Sequence, residues 1–191
     1  YCGIHANYGT LQDMDELIAE AKRRDIKILM DLVLNHTSDQ HEWFQKSRRR
    51  IEPYTDFYIW KAGEKGKKPS NWGSFFGGDC WEFDELRGEY YLHLFAKEQP
   101  DLNWENPVVR QKIYEMVNWW LDKGVAGFRI DAIINIKKDI NFPSFEPDGP
   151  DGLATCIKMV EAVNGVGDFL EELKHETFEK HDAFTVGEVF N

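Results

Sequence analysis

Apolar residues recur at helical spacing near the start of the chain and then form a short continuous run. The positions that follow the i, i+3, i+4, i+7 rule are Met14, Leu17, Ile18 and Ala21. Because Thr10 precedes them and threonine often caps helices, the pattern predicts a helix over residues 11–24. The next segment, 26–34, is apolar at almost every position except Asp31. Such a run is typical of a parallel strand that is buried on both faces.

The same alternation of helix and strand returns after residue 103. Asn106 is a capping residue and Pro107 follows it in the first turn, so the two predict the start of a helix that ends near Gly124. The apolar run 125–131 predicts the next strand. The remaining pattern predicts a loop rich in Pro and Gly at 142–152, helical pieces at 153–163 and 168–180, and a strand at 184–189.

Strands that alternate with helices predict parallel β/α units and therefore an α/β fold. Residues 37–103 interrupt this order, because short aromatic runs there are separated by glycine, lysine and asparagine. We therefore divide the chain into a β/α unit at 1–36, a small inserted subdomain at 37–103 and further β/α units at 104–191. A closed β/α barrel takes ~250 residues without insertions. The three predicted strands are thus expected to be a fragment of a larger domain.

Composition narrows the classes of partner. The sequence is 42% hydrophobic and 14% aromatic, which is enough for a real core, and its net charge of -11 disfavours a nucleic-acid partner. No window approaches the ~20 apolar residues that span a bilayer, so no membrane partner is expected. Cys2, Cys80 and Cys156 are too scattered for a disulfide framework or a C-x-x-C site. These cysteines fit a reducing compartment, and we expect a cytoplasmic protein.

Polar side chains stand at the ends of all three predicted strands of the α/β fold. They are Asp31 on the first strand, Arg129 and Asp131 on the second, and Glu188 on the third. In a β/α barrel the carboxyl ends of the strands converge on one face, where catalytic groups lie. Because strand side chains alternate, Arg129 and Asp131 share a face, and the guanidinium favours the ionised form of the carboxylate.

An ionised carboxylate and a second carboxyl group are the requirements of a double-displacement glycosidase. The structural alternative is that Arg129 and Asp131 form a buried ion pair and that Glu188 caps the next helix. The coincidence of such groups at three strand ends favours the catalytic interpretation.

Several short motifs resemble the signature regions of one enzyme superfamily. The segments 31–36 (DLVLNH), 127–132 (GFRIDA) and 187–189 (GEV) resemble three signatures of the α-amylase superfamily, in the same order. The segments 99–103 (QPDLN) and 71–78 (NWGSFFGG) are similar to its oligo-1,6-glucosidase and α-glucosidase (maltase) branch. The resemblance implies a partial (β/α)8 TIM barrel, about strands 3 to 5, with the inserted subdomain after the first strand present.

The resemblance also implies roles for individual residues. Asp131 corresponds to the nucleophile and Glu188 to the general acid/base. The residues implied in sugar binding at the cleavage subsite are Asp31, His36 and Arg129, and those implied in lining the pocket are Phe76, Phe95 and Gln99. Asn35 occupies the place of a calcium ligand in α-amylases. That metal is generally absent from the glucosidase branch, so neither a metal nor a cofactor is expected.

The implied activity is that of a retaining, exo-acting α-glucosidase, a glycoside hydrolase of carbohydrate metabolism that acts on short oligosaccharides. In this branch a valine after the nucleophile goes with α-1,6 preference and a smaller residue with α-1,4. Ala132 therefore points to α-1,4 bonds, with α-1,6 bonds as a second candidate. The alternatives on the same scaffold are trehalose-6-phosphate hydrolase, sucrose isomerase and trehalose synthase. An alternative of another class is a catalytically inactive barrel, like the heavy chain of amino-acid transporters.

The superfamily's third catalytic aspartate belongs to a later signature that does not occur among these residues. His181 and Asp182 precede the third strand and do not match that signature. We therefore expect the 191-residue chain on its own to be inactive.

Overall fold

A computed structural model describes residues 1–189 of the chain. Its helices are α1 (Leu11–Arg23), α2 (Glu42–Ser47), α3 (Pro107–Asp122), α4 (Ile157–Ala162) and α5 (Val166–Glu176), with short 3-10 helices at Ile133–Ile136 and Phe178–His181. Its strands are β1 (Leu29–Val33), β2 (Trp60–Ala62), β3 (Trp72–Gly73), β4 (Trp81–Asp84), β5 (Glu89–Leu92), β6 (Gly127–Asp131), β7 (Ala154–Thr155) and β8 (Phe184–Gly187). Within residues 1–189 no helix is long and apolar enough to cross a membrane.

Three parallel strands form the sheet that carries the polar strand ends. The strand order is β1-β6-β8, so each strand lies beside the next strand of the β/α series. The register places Asp31 opposite Arg129 and Arg129 opposite Val186. The three predicted β/α strands are confirmed, and they lie in one parallel sheet.

The two long predicted helices are confirmed, and their ends follow from side-chain capping. Thr10 and Asp13 form a reciprocal capping box at the start of α1. Asn106 accepts a hydrogen bond from the backbone N–H of Val108 at the start of α3, where Pro107 occupies the first turn. These caps satisfy backbone donors that a helix leaves without intrahelical partners.

The main core lies on one face of the sheet, between its strands and the helices. Phe128 and Ile130 are buried there, as the alternation of β6 predicts. The prediction that strand 26–34 is buried on both faces is wrong in this structure. Leu29 is 44% exposed and the Asp31 side chain is 62% exposed, because no described element packs over that face.

Residues between β1 and α3 contain an antiparallel sheet of order β2-β5-β4. Buried Arg87 ties this sheet to α2, since its guanidinium donates to the carbonyl oxygens of Ser47 at 2.7 Å and Thr55 at 2.8 Å. The same group lies 4.3 Å from the centroid of the Trp60 ring and forms an ion pair with Glu89. The aromatic residues of this segment are divided between two cores, with Tyr58 and Tyr91 in the main core and Trp72 and Trp81 in a smaller one.

A second connection joins the segment to the loop that follows β6. Strand β3 pairs in parallel with β7, and the side chain of Asn71 exchanges hydrogen bonds with the backbone of Phe145 at 2.8 and 3.0 Å. The indole N–H of Trp72 donates to the carbonyl of Pro143 at 2.7 Å. These contacts fasten the loop after β6 to the strand that leads into residues 74–76.

The C-terminal helical predictions were right in type and wrong in their bounds. The piece predicted at 153–163 begins at Ile157, because Ala154 and Thr155 pair with β3 instead. The piece predicted at 168–180 is α5 followed by a separate 3-10 helix. Thr177 interrupts that segment, with a φ of -133° and its hydroxyl donating to the carbonyl of Leu173.

Gly127 allows β6 and β8 to approach each other closely. A Cβ added at this position would lie 1.7 Å from the carbonyl oxygen of Phe184, so β8 would have to move. We expect Gly127→Ala to lower the free energy of unfolding by roughly 3 kcal/mol or more. Gly167→Ala within α5 is the matched control, because the new Cβ there meets nothing within 4 Å. This substitution should raise the free energy of unfolding by ~0.5–1 kcal/mol. Urea denaturation measures both, and a Gly127→Ala loss below about 1 kcal/mol would contradict the packing described.

Candidate active site

One guanidinium group joins the polar residues at the three strand ends. Arg129 Nη1 lies 2.8 Å from Asp31 Oδ1 and 2.8 Å from Asp131 Oδ1. Its Nη2 forms an ion pair with Glu188 Oε1. The structure thus brings together four of the predicted site residues, contributed by three neighbouring strands.

The parallel register explains why these side chains meet. Asp31 and Arg129 are partners across β1 and β6, and Asp131 lies two residues further along the same face. Glu188 directly follows β8, where its backbone N–H donates to the carbonyl of Ile130 at 2.8 Å. That bond fixes where the chain leaves β8 and keeps Glu188 beside Arg129.

The cluster is rich in negative charge. Three carboxylates, each of charge -1, surround one guanidinium of charge +1, which leaves a formal charge of -2. Hydrogen bonds to Asp31, then to Asp131, raise the pKa of Arg129 above its ordinary value. The side chains of Asp131 and Glu188 remain 26% and 38% exposed, so a ligand can approach both.

His36 lies beside this cluster and is buried, with 7% of its surface exposed. Its Nε2 lies 3.0 Å from Nε2 of Gln99, so the structure brings these two predicted residues into contact. Burial, the largest effect, lowers the pKa of His36 below its ordinary value, and Asp131 acts in the opposite direction.

Aromatic rings continue the wall beyond His36. The ring of Phe95 lies 5.3 Å from that of His36 and 5.6 Å from that of Phe76, measured between centroids. Phe95 is buried, whereas Phe76 is 70% exposed. A groove of about 610 Å³ opens along Phe76 and Phe95, and its lining does not include the carboxylates that contact Arg129.

Ala132 follows Asp131 in an unusual backbone conformation. Its φ of 46° and ψ of 41° lie in the left-handed region, and its side chain is 1% exposed. A branched side chain at a positive φ is strained. The backbone turns at this residue into the 3-10 helix that follows β6.

Lys138 and Asp101 were not among the predicted site residues. They form a buried ion pair, with 3.1 Å between Nζ and Oδ2 and side chains that are 2% and 0% exposed. Burial lowers the pKa of Lys138, and Asp101 opposes that effect. Asp101 falls within the motif 99–103, which could have signalled it. Lys138 lies in a stretch without periodicity and has no such signal.

Asn35, expected to be a structural residue, lies between these groups. Its Oδ1 accepts from Lys138 Nζ at 2.5 Å and its Nδ2 donates to Asp101 Oδ1 at 3.1 Å.

Within residues 1–189, the structure contains no group of three or more His, Cys, Asp or Glu side chains that could bind a metal ion. Burial raises the pKa of Cys156 to about 12, so this thiol is a poor nucleophile.

The sequence model of the family described as "Alpha amylase, catalytic domain" matches residues 1–191. The probable oligo-1,6-glucosidase 3 of Bacillus subtilis (strain 168) is 50% identical over 190 residues, which are 98% of this chain and 34% of that protein. The chain therefore spans about a third of the length of this curated relative.

Solved structures agree with the sequence comparison. The trehalose-6-phosphate hydrolase of Bacillus licheniformis superposes with a TM-score of 0.91 at 46% identity, over 100% of this chain and 34% of that one. The isomaltulose synthase of Erwinia rhapontici NX5, solved in complex with D-glucose, gives a TM-score of 0.91 at 43% identity, over 100% and 34% of the two chains.

Proposed function

The chain belongs to the α-amylase family and matches its catalytic domain. On this premise we propose that it is the part of a retaining α-glucosidase that carries the nucleophile and the general acid/base, and that the enzyme acts on short oligosaccharides. The relatives at about half identity over the whole chain include glycoside hydrolases named oligo-1,6-glucosidase and α-glucosidase. The observation that carries the proposal is the contact of one guanidinium, that of Arg129, with both Asp131 and Glu188.

Each of the two carboxyl groups has a distinct task in this mechanism. Asp131 attacks the anomeric carbon and forms a glycosyl-enzyme, while Glu188 gives its proton to the departing glycosidic oxygen. Glu188 then takes a proton from water, which attacks the same carbon and releases the sugar with its configuration retained. Arg129 holds the attacking Asp131 in place through the 2.8 Å contact between Nη1 and Oδ1.

The remaining residues bind the sugar in this proposal. Asp31 and His36 flank the Arg129 cluster and offer hydrogen-bonding groups to glucose hydroxyls at the cleavage subsite. Phe76 and Phe95 supply an aromatic wall, against which the apolar faces of a sugar ring can pack. Gln99 reaches the site through its contact with His36. An enzyme that releases glucose from the non-reducing end of its substrate needs a pocket that is closed beyond the bound glucose.

We also propose the finer architecture expected from the sequence. Strands β1, β6 and β8 are strands 3 to 5 of a (β/α)8 barrel, and residues 37–103 are a subdomain inserted after the first of them. In support, the three strands are parallel and lie in chain order. An antiparallel sheet lies between β1 and α3.

We also propose a cytoplasmic location, which the three unpaired cysteines fit.

Same-family alternatives differ in what lies beyond the cleavage point. A trehalose-6-phosphate hydrolase must bind a phosphate beyond the cleavage point, and the Arg129 guanidinium is not free for that role because it contacts three carboxylates. A sucrose isomerase would share the first chemical step. An inactive scaffold would have no need of carboxylates held at an open face of the sheet.

Azide rescue separates the roles of the two carboxylates. The tests use a polypeptide of the relatives' length that includes this chain, here termed the full-length enzyme. With p-nitrophenyl α-glucoside, Glu188→Ala should slow turnover by ~10²–10⁴. Azide should restore it and yield α-glucosyl azide, since azide takes the place of water on the glycosyl-enzyme. Asp131→Gly should instead give β-glucosyl azide, because azide then attacks the substrate directly.

Exposed Glu179 supplies the matched control, because its carboxylate pairs with His175 of α5 rather than with a residue of the proposed site. Glu179→Ala should hydrolyse the substrate at the parent rate. Azide products of the opposite anomeric configuration would show that the roles of Asp131 and Glu188 are reversed.

The small side chain of Ala132 should favour α-1,4 over α-1,6 bonds in the full-length enzyme. We expect Ala132→Val to raise the ratio of kcat/KM for isomaltose to that for maltose by roughly 10- to 200-fold, or ~1–3 kcal/mol. A ratio is the correct measurement because valine is strained at this positive φ and will lower the folded fraction. Ala132→Gly relieves the strain and should leave the ratio near that of the parent. The prediction would be contradicted if the full-length enzyme without this substitution already had a far higher kcat/KM for isomaltose than for maltose.

A further inference from the structure

Both ring nitrogens of His36 face side-chain NH2 groups. Nδ1 lies 3.3 Å from Nδ2 of Asn35, and Nε2 lies 3.0 Å from Nε2 of Gln99. An amide NH2 group donates hydrogen bonds and accepts none. Because His36 is 7% exposed, little water reaches the ring to replace these contacts.

The orientation of each amide is fixed by its other partners. Asn35 Oδ1 accepts from Lys138 Nζ, which can only donate, and Asn35 Nδ2 donates to Asp101, which can only accept when ionised. Gln99 Oε1 accepts from the backbone N–H of Ala96 at 3.1 Å. A rotation of either amide by 180° would oppose like groups, so neither can turn an oxygen toward His36.

We propose that Lys138 is a positioning residue, which acts through Asn35 to hold His36 in its neutral form. A neutral imidazole accepts a hydrogen bond at one nitrogen and so satisfies one of the two amides. An imidazolium has no acceptor, and both of its N–H groups would meet NH2 donors. Protonation of His36 would therefore remove every side-chain hydrogen bond that its ring makes in the described structure.

The charges around His36 come from three parts of the chain. Lys138 follows β6, Asp101 ends the segment before α3, and Asp131 ends β6 itself. Burial lowers the pKa of His36 most and Lys138 lowers it further, whereas Asp101 and Asp131 raise it. Lys138 also compensates the charge of Asp101 across 3.1 Å. Its removal would leave that carboxylate facing His36 unopposed.

The consequence for turnover rests on the function proposed above. A neutral His36 can accept a hydrogen bond from a sugar hydroxyl and places no positive charge beside the attacking carboxylate of Asp131. An imidazolium at the same place would compete with the glycosyl cation for that carboxylate. Activity should therefore fall as His36 becomes protonated.

Direct titration of His36 in the full-length enzyme tests the proposal. Histidine labelled with ¹³C at Cε1 is followed by NMR, and the resonance is assigned by its loss in His36→Gln. In the parent the midpoint should lie below the ordinary histidine value of ~6.5. In Lys138→Met and in Lys138→Gln it should rise by about one pH unit or more, because each change leaves the Asp101 carboxylate without the charge that opposes it.

The neighbouring Lys137 gives the matched control, because its Nζ contacts Glu105 and the Phe169 ring and not Asn35. Lys137→Met should leave the midpoint of His36 unchanged. If Lys138→Met does not fold, Lys138→Gln decides the question, since its amide removes the charge and can still donate to Asn35 and Asp101.

A parent midpoint at or above the ordinary value, or folded variants with an unchanged midpoint, would overturn the proposal. The acid limb of kcat/KM should move to higher pH together with the midpoint. A shifted midpoint with an unmoved acid limb supports the positioning role and contradicts the part given to His36 in the proposed function, so the two failures are distinguishable.

Discussion

The contact of the Arg129 guanidinium with three carboxylates organises the functional face of this chain. Asp31, Asp131 and Glu188 come from three strands and would repel one another if brought together alone. A planar guanidinium can bind several carboxylate oxygens at once and stays charged at any relevant pH. The parallel register of the sheet supplies the geometry, and Arg129 supplies the charge that makes that geometry tolerable.

The buried ion pair of Lys138 and Asp101 is a second electrostatic contact, and it lies near His36. Taking Lys138 and Asp101 out of water costs several kcal/mol per ion, which is recovered only when further hydrogen bonds satisfy both groups. Asn35 provides one such bond to each partner, and the backbone N–H of Leu94 provides another to Asp101. The pair joins the segment after β6 to the segment before α3, and Asn35 links it to His36.

Much of this arrangement could be predicted from sequence because it depends on local rules. The period of two in a strand puts Arg129 and Asp131 on one face, and caps at Thr10 and Asn106 define the two long helices. The roles proposed for these residues come from the sequence motifs. The register that pairs Asp31 with Arg129 could not be read locally, since it depends on how two distant strands align.

Other features lacked any local signal. Strand β7 has two residues and exists because β3 lies beside it, so its sequence read as the start of a helix. Lys138 resembles an ordinary surface lysine in the sequence, and only the folded chain brings Asp101 to it. The exposure of Leu29 likewise depends on which elements cover the sheet, and a continuous apolar run does not record that.

The most direct test of the central claim is a crystal structure of the full-length enzyme trapped with a slow-turnover fluoroglucosyl fluoride. The account predicts a covalent bond from the anomeric carbon to Asp131, with Arg129 still contacting Asp131 and Glu188. It also predicts that these two carboxyl groups lie about 5–5.5 Å apart. A sugar attached to another residue, or an unattached sugar between carboxyl groups roughly 6.5–9.5 Å apart, would contradict it.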